Sequence, residues 1–547
     1  MWSKLLVRMT LAVLFALCAS FCTAAELHVP AQFPTIQEAI DAASDGDTVI
    51  VAPGRYAAIW LSNDSITVQS SDPESPDIVR NTVIEQNPTS RISVTMRTYF
   101  SYSNPLPWPL VQRSVINGFT IEGSVSCGTN DMATNYVNSP TVMNNIVAGA
   151  IGAWYSSPCI VGNTVTRGIS VEDNREEVII SGNTVHCDGW DGIYIRYTAA
   201  PVTVVDNRVV DSTGLGIRAG ARALILRNTL TGNLAGGLDI GGGCEVRRNL
   251  IYANGNTEGI GGYGGGIHVS SSGYVIEGNT IACNDGTVCG GILLDIIQVR
   301  ISNNLICGNR SMNYAGGIGQ IPMGKGGQLA GNTIVGNRGP QVVSSRLNWR
   351  LGLLVSDNVF WNNSSGRVSL GSFYGPVVVE YCNIQGGRDM VGKTATWGTG
   401  NIDADPLFVD PGHWDDGGTP TDLSDDTFIP GDYRLLPGSP CIDAGTNDVD
   451  NPDTPEIETL PAADIAGLPR VIDGNLDGTA TVDIGAYEYL PGDVNYDGTV
   501  NVLDLLLVRN SMGSDPASSI QARKADVNAD GGVNVLDLLV VRGRLGK

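Results

Sequence analysis

From about residue 115 to residue 385 the chain repeats one short pattern. Three to five residues in which β-branched and polar side chains alternate, such as Val202-Thr203-Val204-Val205, lead into a turn built on Gly and Asn. Runs so short with a period of two predict strands rather than helices. The turns share the phrase Asn-x-(Val/Ile/Leu/Phe), with asparagines at Asn117, Asn145, Asn163, Asn183, Asn207, Asn228, Asn249, Asn279, Asn304, Asn332, Asn358 and Asn383. A second phrase, Gly-Ile or Gly-Leu, recurs out of phase at Gly168, Gly192, Gly216, Gly237, Gly266, Gly291, Gly317 and Gly352. Two phrases interleaved at one period of ~24 residues predict a solenoid, here a parallel β-helix of about twelve coils. At ~4.8 Å per coil the rod is about 60 Å long. Asparagine suits the recurring corner because it tolerates left-handed backbone and its amide can bond the equivalent amide one coil away. The leucine framework of leucine-rich repeats is missing.

Ahead of the coils, residues 34–56 predict a lid for the open end. Thr35 and Glu38 have capping-box spacing, and Ile36, Ala39, Ile40 and Ala43 form one apolar helical face. The chain then turns at Asp45-Gly46-Asp47 into a strand, Thr48 to Ala52. This opening resembles that of secreted right-handed β-helix proteins of the pectate-lyase-like class, a resemblance spanning residues 26–400. The implied fold is mainly β, a right-handed single-stranded parallel β-helix. Residues 401–490 turn acidic and rich in Asp and Pro, and their N-I-D-A-D-P-L-F and V-D-I-G-A-Y-E-Y segments read as a closing cap. Within them Asp473, Asn475 and Asp477 imitate the opening of a calcium loop, but position 12 is Ile484, so an ordinary turn is expected there.

The tail, 491–547, carries one oxygen-rich loop twice: D-V-N-Y-D-G-T-V-N-V-L-D from Asp493 and D-V-N-A-D-G-G-V-N-V-L-D from Asp526. Oxygen-bearing side chains fall at positions 1, 3, 5, 9 and 12, with glycine at 6, the pattern that wraps a hard cation in six to eight oxygens. The predicted ligands are Asp493, Asn495, Asp497, the carbonyl of Thr499, Asn501 and Asp504, then Asp526, Asn528, Asp530, the carbonyl of Gly532, Asn534 and Asp537. An apolar helix follows each loop, but Pro491-Gly492 stands where an EF-hand's entering helix would be. This pair of half-hands (F-hand loops) resembles the type I dockerin, a small α module. The resemblance implies two calcium ions and a cohesin partner met by Val502, Leu503 and Arg509 and their twins Val535, Leu536 and Arg542. Leu505, Leu506, Leu538 and Leu539 are expected to pack the two helices together.

Composition sets the compartment. Lys4 and Arg8 before an apolar run from Leu11 to Phe21, then Thr23-Ala24-Ala25, predict a secretory leader over 1–25 and an extracellular or surface-held product. The run is too short to span a bilayer, which takes roughly 20 apolar residues. The net charge of −23, or −25 without Lys4 and Arg8, argues against nucleic acid as a partner. Nine cysteines remain beyond the leader, an odd number in no C-x-x-C spacing. Cys283 either bridges to Cys289 or Cys307 or stays a buried thiol.

The Gly-Ile phrase also predicts where chemistry could sit. The apolar pairs Ile169/Val171, Ile193/Ile195, Ile217/Ala219, Leu238/Ile240, Ile267/Val269 and Ile292/Leu294 point inward, so their neighbours point outward. One outward column reads Ser170, Tyr194, Arg218, Asp239, His268, Leu293, and the next Glu172, Arg196, Gly220, Gly241, Ser270, Asp295. The candidate catalytic residues are Arg218, Asp239 and His268, with Glu172, Tyr194, Arg196 and Asp295 as substrate contacts. Lyase chemistry requires an arginine or histidine base beside a uronate, and hydrolysis requires two carboxylates flanking the bond. The motif sets of polygalacturonases and alginate epimerases are absent. Three readings follow: a lyase or hydrolase of acidic polysaccharide, a non-catalytic binding or adhesive rod, or a spacer whose only specific interface is the dockerin. In the last two, the charged columns are ordinary solvent-facing dressing.

Overall fold

The computed structural model describes residues 24–546 apart from 63–64, 99–110, 130–136, 221, 256–263, 272–273, 296–298, 320–324, 345–350, 365–367, 370–376, 420–424 and 452–458. The predicted leader therefore lies outside the described residues up to residue 23. Three long sheets, of sixteen, fourteen and thirteen strands, run side by side, and every pairing within them is parallel. Sheet one begins with Glu26–Val29 and Thr48–Val51 and ends with Thr396–Trp397. Each coil contributes one strand to each sheet in turn, as in Val178–Ser181, Thr184–Val185 and Ile193–Arg196. This is a parallel β-helix. Its coils outnumber the predicted twelve because those before residue 115 lack the asparagine phrase.

The inward positions of all three sheets form one continuous apolar column from Leu27 to Ala395. At the end of the column lies the helix Ile36–Ala42, with Ile36, Ala39 and Ile40 buried. Thr35 Oγ1 accepts from the Glu38 amide at 3.2 Å. This is half of the predicted capping box; the return bond from Glu38 is not among the hydrogen bonds formed.

An asparagine ladder lines the corner between sheets one and two. From Asn145 to Asn332, each Nδ2 donates to the next coil's Oδ1 at 2.9–3.1 Å, the last to Asn358, and to a backbone carbonyl of the preceding coil. Asn117 and Asn383 stand outside it. In their coils the corner positions are Phe119, whose amide donates to Asn145 Oδ1, and Cys382, whose amide donates to Asn401 Oδ1. A second ladder, Asn233, Asn254, Asn284, Asn309, Asn337 and Asn363, holds the far end of sheet two.

Residues 401–490 fold back along the flank of the rod. Phe408, Phe428, Tyr433 and Leu435 pack against outward residues of sheet two from Ala282 to Val359. Phe428 covers Gly308 and Gly336, where a Cβ would lie 2.0 and 2.5 Å from its ring. Trp414 Nε1 donates to the Gly336 carbonyl at 2.7 Å. All nine described cysteines are free thiols, so Cys283 is unbridged.

Candidate functional site

The pairing of sheet three puts Ser170, Tyr194, Arg218, Asp239, His268 and Leu293 side by side on successive strands. The apolar pairs between them are all buried in the central column, so alternation turns the first five side chains outward. Leu293 is covered by a small cluster with Cys289 and Ala315, which ends the open face there.

The charges of the first column are paired. His268 Nδ1 lies 3.1 Å from Asp239 Oδ1, and its Nε2 lies 2.8 Å from Asp295 Oδ2. Burial acts to lower the basicity of the imidazole, yet the two carboxylates outweigh it and hold His268 above its ordinary value. Arg218 Nε meets Asp191 Oδ2 at 2.8 Å, while the other oxygen of Asp191 accepts from the Leu215 amide at 2.9 Å. Asp191 comes from the His186–Asp191 loop ahead of its strand, which the sequence offers only as a weaker candidate, a rim of this face or an ordinary Asp-Gly turn. Its signal was present, since that loop carries two acids and Trp190, which is 78% exposed. Arg196 stacks 4.0 Å over the ring of Tyr197 and is in register with Glu172.

Toward the N-terminal end the second column continues through Trp154, Gly128 and Arg97. The six-membered ring of Trp154 lies over Gly152, where a Cβ would meet it at 2.7 Å, and Arg97 sits 5.9 Å from the indole centroid. Glycine at 152 thus lets the indole lie flat on the sheet with 40% of the residue exposed. Arg97 escaped sequence reasoning because its strand, Ile92–Thr98, lacks the Gly-Ile phrase.

In the tail, both loops fold alike. Position 1 (Asp493, Asp526) accepts from the glycine amide at position 6 at 2.9 and 3.0 Å. Position 12 lies buried beneath each loop: one oxygen accepts from the position-3 amide (Asn495, Asn528) at 3.1 and 3.2 Å, the other from the position-9 amide (Asn501, Asn534) at 2.9 and 2.8 Å. The helices Val502–Asn510 and Val535–Gly543 begin with capping boxes made by Asn501/Asp504 and Asn534/Asp537.

Residues 491–546 match the family model of the dockerin type I domain, and residues 191–349 that of the right handed beta helix region. The chain is a right-handed β-helix protein with a type I dockerin. No curated protein matches it. Among solved structures it is similar to the periplasmic alginate epimerase AlgG, at 12% identity over 61% of this chain and 77% of that one, with a TM-score of 0.32. It is also similar to pectate lyase Pel9A, at 14% identity over 86% and 97%, with a TM-score of 0.23. Neither likeness bears on the chemistry of sheet three.

The dockerin binds calcium through its two loops and makes a cohesin the partner. Its residues fit the ion. Burial raises the Asp493 and Asp526 carboxyls above the ordinary range, and neighbouring carboxylates add to this, the electrostatics of a site that wants a cation. Val508, Ala522, Ala525 and Val541 form the dockerin core, with Leu505 and Leu538 packed against it. Leu506 and Leu539 do not pack as expected: they are 44% and 54% exposed and join Val502 and Leu503, or Val535 and Leu536, on open helix faces. Arg509 and Arg542 are exposed near the ends of those helices. No helix among the described residues is long and apolar enough to cross a membrane.

Proposed function

We propose that the outer face of sheet three binds an acidic polysaccharide without cleaving it, and that the dockerin presents this binder to a cohesin. The observation that carries the reading is the pairing of every candidate catalytic group. A lyase base must be free to take a proton, but Arg218 is ion-paired with Asp191 and both ring nitrogens of His268 are engaged. Hydrolysis needs space between two carboxylates for the bond and a water, and His268 fills the space between Asp239 and Asp295. What remains suits recognition. Trp154 offers a flat apolar platform, Tyr194 adds a second ring, and Arg196 offers a fork that matches a uronate carboxylate. Arg97, whose Nε and Nη2 both donate to Ser126 Oγ at 3.1 and 2.7 Å, is held in place beside the platform. Glu172 and Asp295 supply acceptors for sugar hydroxyls.

In the dockerin, each calcium is held by the side chains of Asp493, Asn495, Asp497, Asn501 and Asp504 with the Thr499 carbonyl, or by Asp526, Asn528, Asp530, Asn534 and Asp537 with the Gly532 carbonyl. The cohesin is met by Val502, Leu503 and Arg509 or by Val535, Leu536 and Arg542.

A second reading is kept by His268, whose two carboxylate partners raise its affinity for a proton against the effect of burial, as a general acid requires. Incubation of the calcium-loaded protein with uronate-rich and neutral polysaccharides separates the two, when retention, reducing ends and unsaturated products are followed together. Retention without products supports binding. Products that disappear in His268→Ala establish catalysis and overturn the proposal.

A further inference from the structure

We infer that a third calcium ion binds between the β-helix flank and the dockerin, in a loop at residues 473–481 whose twelfth position is supplied by Asp443. The inference rests on the dockerin loops being calcium loops and is independent of the sugar-binding reading.

Residues Asp473 to Thr481 repeat all but one of the bonds that shape the dockerin loops. Asp473 accepts from the Gly478 amide at 3.2 Å, as Asp493 does from Gly498 and Asp526 from Gly531. Asn475 Oδ1 accepts from the Asp477 amide at 2.8 Å, and Asp477 Oδ1 from the Thr479 amide at 2.8 Å, the same steps as in both dockerin loops. Position 4 is left-handed in all three, at Leu476 (φ 65°), Tyr496 (φ 57°) and Ala529 (φ 53°), and position 6 is a left-handed glycine in all three.

The sequence breaks the motif at Ile484, which is buried in the flank core. The fold repairs it from elsewhere. Asp443 Oδ2 accepts from the Asn475 amide at 2.6 Å and its Oδ1 from the Thr481 amide at 3.2 Å. These are the position-3 and position-9 amides, the pair that Asp504 and Asp537 bridge in the dockerin. Position 2 is Gly474, where a Cβ would lie 2.7 Å from Ile442 Cγ2 and 3.3 Å from Asp443 Oδ2, so glycine clears the path for the incoming carboxylate.

An observation outside the loop's own bonding points to the ion. Asp473 Oδ1 is buried from solvent and accepts no hydrogen bond, although a buried carboxylate oxygen without a partner is costly. In the dockerin loops the corresponding oxygen accepts from the position-5 amide at 3.1 Å. None of the described ion pairs neutralises Asp443, Asp473 or Asp477. Oxygen donors only, three of them carboxylates, are the chemistry of a calcium site. The Asp473 carbonyl also accepts from Arg544 Nη2 of the dockerin at 3.5 Å, which places the loop at the junction.

Equilibrium dialysis of the full chain against calcium tests this. We expect three ions per chain in the wild type and two in Asp443→Asn and in Asp477→Asn, the latter an exposed change that leaves the buried flank intact. Combined Asp493→Asn and Asp526→Asn should retain one ion. A wild-type stoichiometry of two, or three ions kept in both single variants, overturns the inference. A single ion in the wild type that is lost in Asp443→Asn would instead refute calcium binding by the dockerin loops while locating an ion at residues 473–481, and no ion at all would overturn both.

Discussion

His268 lies beside Asp239 on the neighbouring strand of sheet three, its Nδ1 3.1 Å from the Asp239 Oδ1, and Asp295 holds the opposite ring nitrogen at 2.8 Å. Burial opposes protonation of this imidazole, but a carboxylate facing each ring nitrogen favours the cation and the balance is upward. Its raised value means that the folded state binds the proton more tightly than the unfolded chain. The stabilisation is full below the unfolded value of roughly 6.5 and is lost as pH rises through the folded one. With only four histidines in the chain, NMR titration can follow each ring. His268 should titrate above an unperturbed histidine, and Asp295→Asn should bring it down.

The first asparagine ladder is broken once, at Cys382. Its sulfur takes the place of an amide oxygen, 3.5 Å from the Asn358 amide, and Asn401 continues the line beyond it. Cys382→Asn should join the two parts and raise stability by about 1 kcal/mol. Asn249→Ala in the middle should cost about 3 kcal/mol or more, because donors and acceptors on both neighbouring coils lose partners inside the rod. Chemical denaturation of the two variants checks both signs.

The flank is tied to the rod through Asp357, whose Oδ1 accepts from the Thr446 amide at 2.7 Å. Burial pushes its carboxyl up to about 7, against the pull of that bond and of Arg470. A raised carboxyl favours the protonated folded state, so its contribution is full below about pH 4 and is lost as pH rises through about 7. The difference in Tm between wild type and Asp357→Asn, which cannot ionise, should therefore shift against the wild type between pH 4 and 7 and stay level above. A constant difference would contradict this.

Either dockerin helix presents the same exposed apolar set, Val502, Leu503 and Leu506 or Val535, Leu536 and Leu539. Leu506→Ala or Leu539→Ala alone should leave cohesin binding within a few-fold, because the other helix can serve. Combined with Val502→Ala and Val535→Ala they should abolish it, with calcium stoichiometry unchanged. Surface-based binding measurements on a cohesin panel distinguish the cases.

The rod was legible because its signals are local and periodic. Gly-Ile fixes which side chains of sheet three face out, and the register aligned Tyr194, Arg218, Asp239 and His268 as the alternation required. The second ladder was also written in the sequence, as asparagines five residues after the first at 228/233, 249/254, 279/284, 304/309, 332/337 and 358/363. It follows from a constant three-residue strand between two corners. Contacts made by chain folding back were not legible. Phe428 over Gly336 and Asp443 beneath Asn475 each join segments that no period relates, while Asp191 reaches Arg218 on the next coil from a loop just outside the strand pattern. Leu506 and Leu539 were misplaced because apolar residues on a short helix read as core, while cores this small need only one narrow face.

The central claim is that sheet three is the glycan-binding face. A crystal structure of the calcium-loaded protein soaked with a uronate oligosaccharide tests it most directly. The account predicts an intact chain lying along sheet three, with one sugar stacked on Trp154 and a carboxylate paired with Arg196. Sugar bound on the flank or on sheet one, or cleaved product beside His268, would contradict it.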